Sequence, residues 1–155
     1  DDNWIMAYVH IAHDCQLASH IVIANSVQLA GHIHIDDWAI IGGLSAAHQF
    51  VHIGAHTMIG GTSSLRQDIP PYVIGAGDPF RPVGINAEGL SRRGFAPEAI
   101  AALKEAYKLL YRRNLKVEEA TEQILALQVE RPIARDALQV LIDFLKSAAR
   151  GIARA

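Results

Sequence analysis

Apolar residues recur along the first part of the chain with a period of six. Ile5, Ile11, Leu17, Ile23, Leu29, Ile35, Ile41, Ala47, Ile53, Ile59 and Leu65 form an unbroken series. Two places before each later member stands a small or β-branched residue: Val9, Cys15, Ile21, Val27, Ile33, Ala39, Ser45, Val51, Thr57 and Ser63. A period of six fits neither the 3.6-residue turn of an amphipathic helix nor the two-residue alternation of a meander. It fits a parallel β-helix, in which short strands wind around a prism and each side sends one aliphatic residue inward. For a coil that closes after three hexads, residues three hexads apart would lie one rung above another, about 4.8 Å away.

The pattern changes near Ile69-Pro70-Pro71-Tyr72, where two successive prolines mark the expected end of the coil stack. Residues 75–85 read as a connecting loop. Beyond them the period becomes helical: Pro97 suits a first turn, and Ile100, Leu103, Ala106, Tyr107, Leu110 and Tyr111 form an apolar stripe. Further helices are expected around 117–129 and 134–149, the last with Ala137, Leu138, Leu141, Ile142, Leu145 and Ala148 on one face. The expected organisation is therefore a β-helix over residues 1–74 followed by a linker and α-helical domain over 75–155. The chain enters at Asp1-Asp2-Asn3-Trp4-Ile5 already in register and without a cap, so either a fragment of a longer solenoid or a naturally truncated one is expected.

Charge follows the same division. All 14 Lys and Arg lie at or after Arg66, and all eight His at or before His56. Residues 1–65 carry five Asp and no basic residue, and residues 66–155 carry 14 basic against 11 acidic side chains. Basic clusters interleaved with aromatics are missing, so nucleic acid is not an expected partner. One cysteine, Cys15, excludes an internal disulfide framework, and no apolar run is long enough for a membrane span, so a soluble, cytoplasmic protein is expected.

None of the histidines occupies an inward hexad position. Reduced to one coil, His10, His13, His32, His34, His48 and His52 fall within one seven-residue arc, with His20 and His56 elsewhere. In that arc Gly31 stands one rung above His13, Gln49 one above that, and His32 one above Asp14. Imidazole titrates near neutrality, which suits a base that removes a proton from a hydroxyl.

Tyr8-Val9-His10-Ile11-Ala12-His13-Asp14-Cys15, Leu29-Ala30-Gly31-His32, Ala47-His48-Gln49-Phe50 and Gly84-Ile85-Asn86-Ala87-Glu88-Gly89-Leu90-Ser91-Arg92-Arg93-Gly94-Phe95 resemble segments of the bacterial UDP-N-acetylglucosamine O-acyltransferases, in their C-terminal portion. Those are hexapeptide-repeat transferases of lipid A biosynthesis. The resemblance implies a left-handed parallel β-helix with three hexads per turn, followed by a small helical domain, and a homotrimer. It also implies transfer of a 3-hydroxyacyl chain from acyl carrier protein to the 3-hydroxyl of UDP-N-acetylglucosamine, without a cofactor.

Carried over by position, His13 is the general base, Asp14 orients it, and the Gly31 backbone N–H receives the oxyanion. His10, His32, His48 and Gln49 contact substrates, Gly61 leaves room for a long acyl chain, and Asn86, Glu88, Arg92 and Arg93 hold the uridine diphosphate. Where the family pattern has a histidine shortly before the last segment, this chain reads Gly77-Asp78-Pro79-Phe80. Three other readings stay open: a zinc enzyme of carbonic-anhydrase type on the same repeat, a non-catalytic structural trimer, and the related N-acyltransferase that uses the same acyl donor. The leading reading assigns no metal ligand.

Overall fold

A computed structural model describes residues 1–148 and 151–154. Among these the stretch from Asp1 to Leu65 forms a run of very short strands. They are β1 (Trp4–Ile5), β2 (His10–Ile11), β3 (Gln16–Leu17), β4 (Val22–Ile23), β5 (Gln28–Leu29), β6 (His34–Ile35), β7 (Ile40–Ile41), β8 (Ala46–Ala47), β9 (His52–Ile53), β10 (Met58–Ile59) and β11 (Ser64–Leu65). Every third strand pairs in parallel, with partners three hexads apart such as Trp4 with Val22 and His34 with His52. The result is a parallel β-solenoid with three faces.

The hexad pattern causes this directly. Ile23, Ile35, Ile41, Ile53, Val27, Ile33 and Val51 are fully buried in one axial core. Each such side chain removed from water contributes roughly 1.5–3 kcal/mol before entropy is counted. Between strands the backbone turns a corner, and its second residue adopts positive φ: Asp14 at 60°, His32 at 60°, Phe50 at 67° and His56 at 58°. A non-glycine residue there costs about 1–2 kcal/mol. Inter-coil hydrogen bonds offset it, including His32 N–H to His13 O at 3.0 Å and Phe50 N–H to Gly31 O at 3.0 Å. Because the corners carry side chains, they can display chemistry.

The stack does not stop at the two prolines. Its last turn is shorter than a full three hexads, pairing Met58 with Ile74 and bridging Ile53 to Ile69. Residues 75–85 are not a loop. β12 (Val73–Ala76) and β13 (Arg81–Ile85) form an antiparallel hairpin that finishes the sheet β1-β4-β7-β10-β12-β13, so residue 74 lies inside a strand. The missed signal is the alternation of buried Val73, Gly75, Phe80 and Pro82 with exposed or half-exposed Ile74, Ala76, Arg81 and Val83. Gly77-Asp78-Pro79-Phe80 makes the turn, and Asp78 pairs with Arg66 at 2.7 Å.

Helices α1 (Ala87–Arg92), α2 (Pro97–Tyr111), α3 (Val117–Glu130) and α4 (Arg135–Ser147), with a 3-10 turn at Pro132–Ala134 before α4, pack around a second core that includes Leu90, Leu103, Ile124 and Leu138. The last helix ends at Ser147, and Ala149 of the expected 134–149 span lies outside the described residues. Tyr72 links the solenoid to the helices: its N–H donates to Ala55 O at 2.8 Å and its hydroxyl to Ala137 O at 2.9 Å. The C-terminal segment returns to the solenoid, where Ile152 bridges Asp68 and Ala153 O accepts from the Tyr111 hydroxyl. Among the described residues no helix is long and apolar enough to cross a membrane.

One corner carries an aromatic ladder: His20 on Trp38 (4.2 Å between centroids), Trp38 and His56 (6.3 Å), and His56 and Tyr72 (5.8 Å). Burial, helped by the nearby Arg93 guanidinium, pushes His56 from 6.5 down to about 4. The neutral ring is thus favoured in the folded chain. Its contribution to stability is complete above pH 6.5 and is lost as pH falls toward 4. Thermal melts across that window are expected to show a smaller decline in Tm for His56→Gln than for the native chain. An axial-core truncation, Ile41→Ala, is expected to cost about 2–5 kcal/mol in denaturant unfolding.

Candidate functional site

The corner that follows β2, β5 and β8 carries His13-Asp14, Gly31-His32 and Gln49-Phe50 in successive coils. The His13 side chain is 73% exposed and that of Asp14 is 67% exposed. His13 Nδ1 stands 3.0 Å from Asp14 Oδ2. An ionised carboxylate only accepts, so Nδ1 carries the hydrogen and Nε2 keeps its lone pair. Asp14 is held below the usual carboxylate range, first by that hydrogen bond and then by the field of His32. It is therefore ionised at neutral pH.

Gly31 provides the floor. A Cβ placed on it would stand 2.7 Å from His13 Cε1 and 2.8 Å from Nε2, closer than atoms pack, so the ring rests where a side chain would be. His32 closes one flank, edge-on to His13 at 5.0 Å and stacked on Phe50 at 4.6 Å. Its Nε2 lies 3.8 Å from Asp14 Oδ2. Sequence reasoning passes over Phe50 as a site residue, although it stands three hexads after His32, and that spacing is the signal that finds it. His10 is exposed on β2, and His48 and Gln49 are exposed where the chain leaves β8.

The other expected site residues lie on different corners. Gly61 follows β10, where a Cβ would stand 3.1 Å from Gly43 O one coil below. The segment 86–93 lies against the aromatic ladder. Asn86 is only 5% exposed; its Nδ2 donates to His56 O at 3.1 Å, and its Oδ1 accepts from Gly89 N–H at 3.3 Å, capping α1. Arg93 donates to His56 Nδ1 at 3.1 Å and lies 5.1 Å from the Trp38 ring centroid. Glu88 and Arg92 form an exposed pair at 2.6 Å. A cleft of about 700 Å³ opens beside these groups, lined by Asp37, Trp38, His56, Arg93, Phe95 and residues of α4. The ladder residues Trp38, His56 and Tyr72 are likewise missed as site candidates, although 38 and 56 share one position three hexads apart.

Within one chain, then, the structure brings His13, Asp14, Gly31 and His32 together and leaves the 86–93 segment one face away. One extended hexad separates equivalent corners, about 20 Å at roughly 3.3 Å per residue.

Comparison with known proteins adds sequence and fold. Residues 68–153, more than half of the chain, match the family model "Udp N-acetylglucosamine O-acyltransferase; Domain 2". Enzymes named acyl-[acyl-carrier-protein]–UDP-N-acetylglucosamine O-acyltransferase from Burkholderia mallei and Burkholderia thailandensis are 55% identical over 154 residues. The alignment covers 99% of this chain and 59% of each relative, so the chain spans little more than half of their length. Among solved structures, LpxA from Acinetobacter baumannii superposes with a TM-score of 0.92 at 43% identity, covering 99% of this chain and 58% of that one. The UDP-N-acetylglucosamine O-acyltransferase of Moraxella catarrhalis gives 0.93 at 39% identity, with coverage of 99% and 58%. The solenoid, the helical cap and the sequence of both agree, and the chain belongs to the UDP-N-acetylglucosamine O-acyltransferase family.

Proposed function

We propose that the chain carries the acyl-transfer site of an enzyme that moves a 3-hydroxyacyl group from an acyl carrier protein thioester to the 3-hydroxyl of UDP-N-acetylglucosamine, the first step of lipid A biosynthesis. The observation that carries this reading is the solvent-facing His13–Asp14 pair lying over the bare backbone of Gly31. His13 Nε2 takes the proton of the sugar hydroxyl as that oxygen attacks the thioester carbonyl. The tetrahedral oxyanion is received by the Gly31 N–H. On collapse the carbon–sulfur bond breaks, the ester is left on the sugar, and the imidazolium returns its proton to the departing thiolate. Asp14 keeps the tautomer and steadies the charged ring. His10, His32, His48 and Gln49 border the reacting groups, and Gly61 leaves the acyl groove open to a long chain.

Arg92 and Arg93 suit a diphosphate, because each guanidinium offers a fork of charge-assisted donors. Asn86 serves by fixing the start of α1, and Glu88 by holding Arg92. Their position one face away from His13 favours a homotrimer in which the imidazole corner of one copy meets the arginine corner of its neighbour. A cytoplasmic setting suits both substrates.

His13→Ala is expected to lower kcat by about 10²–10⁴-fold, with assembly and nucleotide affinity retained. Unchanged transfer would contradict the assignment, and an amide product would point to the related N-acyltransferase. Gly31→Ala is expected to push the imidazole aside and lower kcat on the order of 100-fold, with thermal stability close to native. For the shared site, mixing and reassembling His13→Ala with Arg93→Ala chains is expected to restore activity that neither variant has alone.

A further inference from the structure

The face formed by β3, β6 and β9 carries a second histidine–carboxylate group that the acyl-transfer reading does not use. His34 on β6 and His52 on β9 are paired one rung apart, and their rings stack at 4.5 Å between centroids. Both turn Nε2 toward one carboxylate, that of Asp36. His52 Nε2 is 2.9 Å from Oδ2, and His34 Nε2 is 3.3 Å from Oδ1. The three donor atoms all lie within 4.8 Å of one another.

Backbone register fixes this convergence. Asp36 N–H donates to Ile53 O at 2.9 Å, anchoring Asp36 beside the residue that follows His52. His52 N–H in turn donates to Asp68 Oδ1 at 2.8 Å, and its ring lies 4.5 Å from Phe144 of α4. The side chains of Asp36 and His52 are 28% and 24% exposed, whereas that of His34 is 48% exposed. Two ligands are therefore held and half-buried, and the third leaves a side open to solvent.

From this geometry we infer a divalent transition-metal site, of the class that zinc and nickel fill, with His34 Nε2, His52 Nε2 and the Asp36 carboxylate as protein ligands and an open position for solvent. Imidazole is the preferred ligand of these ions, and two imidazoles with one carboxylate form a known ligand set for them. In a tetrahedron with bonds of about 2.0–2.2 Å, neighbouring ligand atoms stand about 3.3–3.5 Å apart. The nitrogen–oxygen distances of 2.9 and 3.3 Å run to the two oxygens of the one carboxylate, and all three donor atoms lie within 4.8 Å of one another, so rotation of the side chains can bring them round one ion. Without the ion His52 Nε2–H donates to Asp36 Oδ2, and His34 Nε2 stands beside Oδ1. On binding, each ring places its hydrogen on Nδ1 and turns the Nε2 lone pair to the metal, so no proton need leave the protein. The ion would tie the second coil to the third beside Phe144 of α4.

The corner group His13, Asp14 and His32 also brings three donor atoms within 4.8 Å, so the experiment must separate the two. Zinc is titrated into the metal-free full chain by calorimetry, with cobalt absorption as a second readout of coordination. One ion per chain is expected, with a rise in Tm of the native chain. His34→Gln is the primary variant because that side chain is the most exposed of the three. It is expected to keep the circular dichroism spectrum and to weaken zinc on the order of 100-fold. Asp36→Asn is expected to do the same, and His32→Asn to leave the affinity unchanged. The proposal is overturned by no saturable binding, by affinity indifferent to His34→Gln, or by binding that disappears with His32→Asn alone.

Discussion

The inter-coil backbone ladder is the constraint on which the rest depends. Each short strand donates and accepts to residues three hexads away, and the aliphatic column inside keeps that spacing, since a slip of one residue would turn the core aliphatics outward. The ladder converts sequence separation into spatial adjacency at the corners. Asp14, His32 and Phe50, or His20, Trp38 and His56, are neighbours only because the coil closes every three hexads. The corner residues bear a backbone cost for this, offset by hydrogen bonds to the next coil.

Much of this was legible in the sequence, because the hexad is a direct image of the inward column. The same reduction to one coil placed Gly31 over His13 and His32 over Asp14, and the helix stripes after Pro97 mark the helical core. What escaped was local. The final coil is shortened, so Ile69 and Ile74 leave the hexad register without leaving the stack. The hairpin of Val73–Ala76 and Arg81–Ile85 was hidden behind Gly77-Asp78-Pro79, a turn whose proline and glycine read as loop. Helix α1 was hidden for a different reason: it is under two turns long, held by the Asn86 cap and by packing of Leu90 more than by any periodicity.

The candidate chemistry is distributed by the same geometry. A single prism edge supplies the imidazole, its carboxylate and a bare backbone, whereas the arginines are anchored to another edge through His56 and Trp38. Residue type and spacing reveal each group separately. They do not reveal that Asn86 is buried under the ladder, or that His34 and His52 converge on Asp36, because these depend on which way side chains turn from neighbouring rungs. The helical cap has a structural part in this: through Tyr72, Phe144 and the returning Ile152 it fixes the last coils against which both the ladder and the second histidine group are built.

The most direct measurement is a crystal structure of this chain with the 3-O-acylated nucleotide sugar bound. The acylated oxygen should lie within about 2.6–3.2 Å of His13 Nε2, with the carbonyl directed at the Gly31 N–H and the diphosphate against the arginines of a neighbouring copy. A product whose ester is remote from His13, or whose diphosphate is held without Arg92 or Arg93 of any copy, would contradict the account.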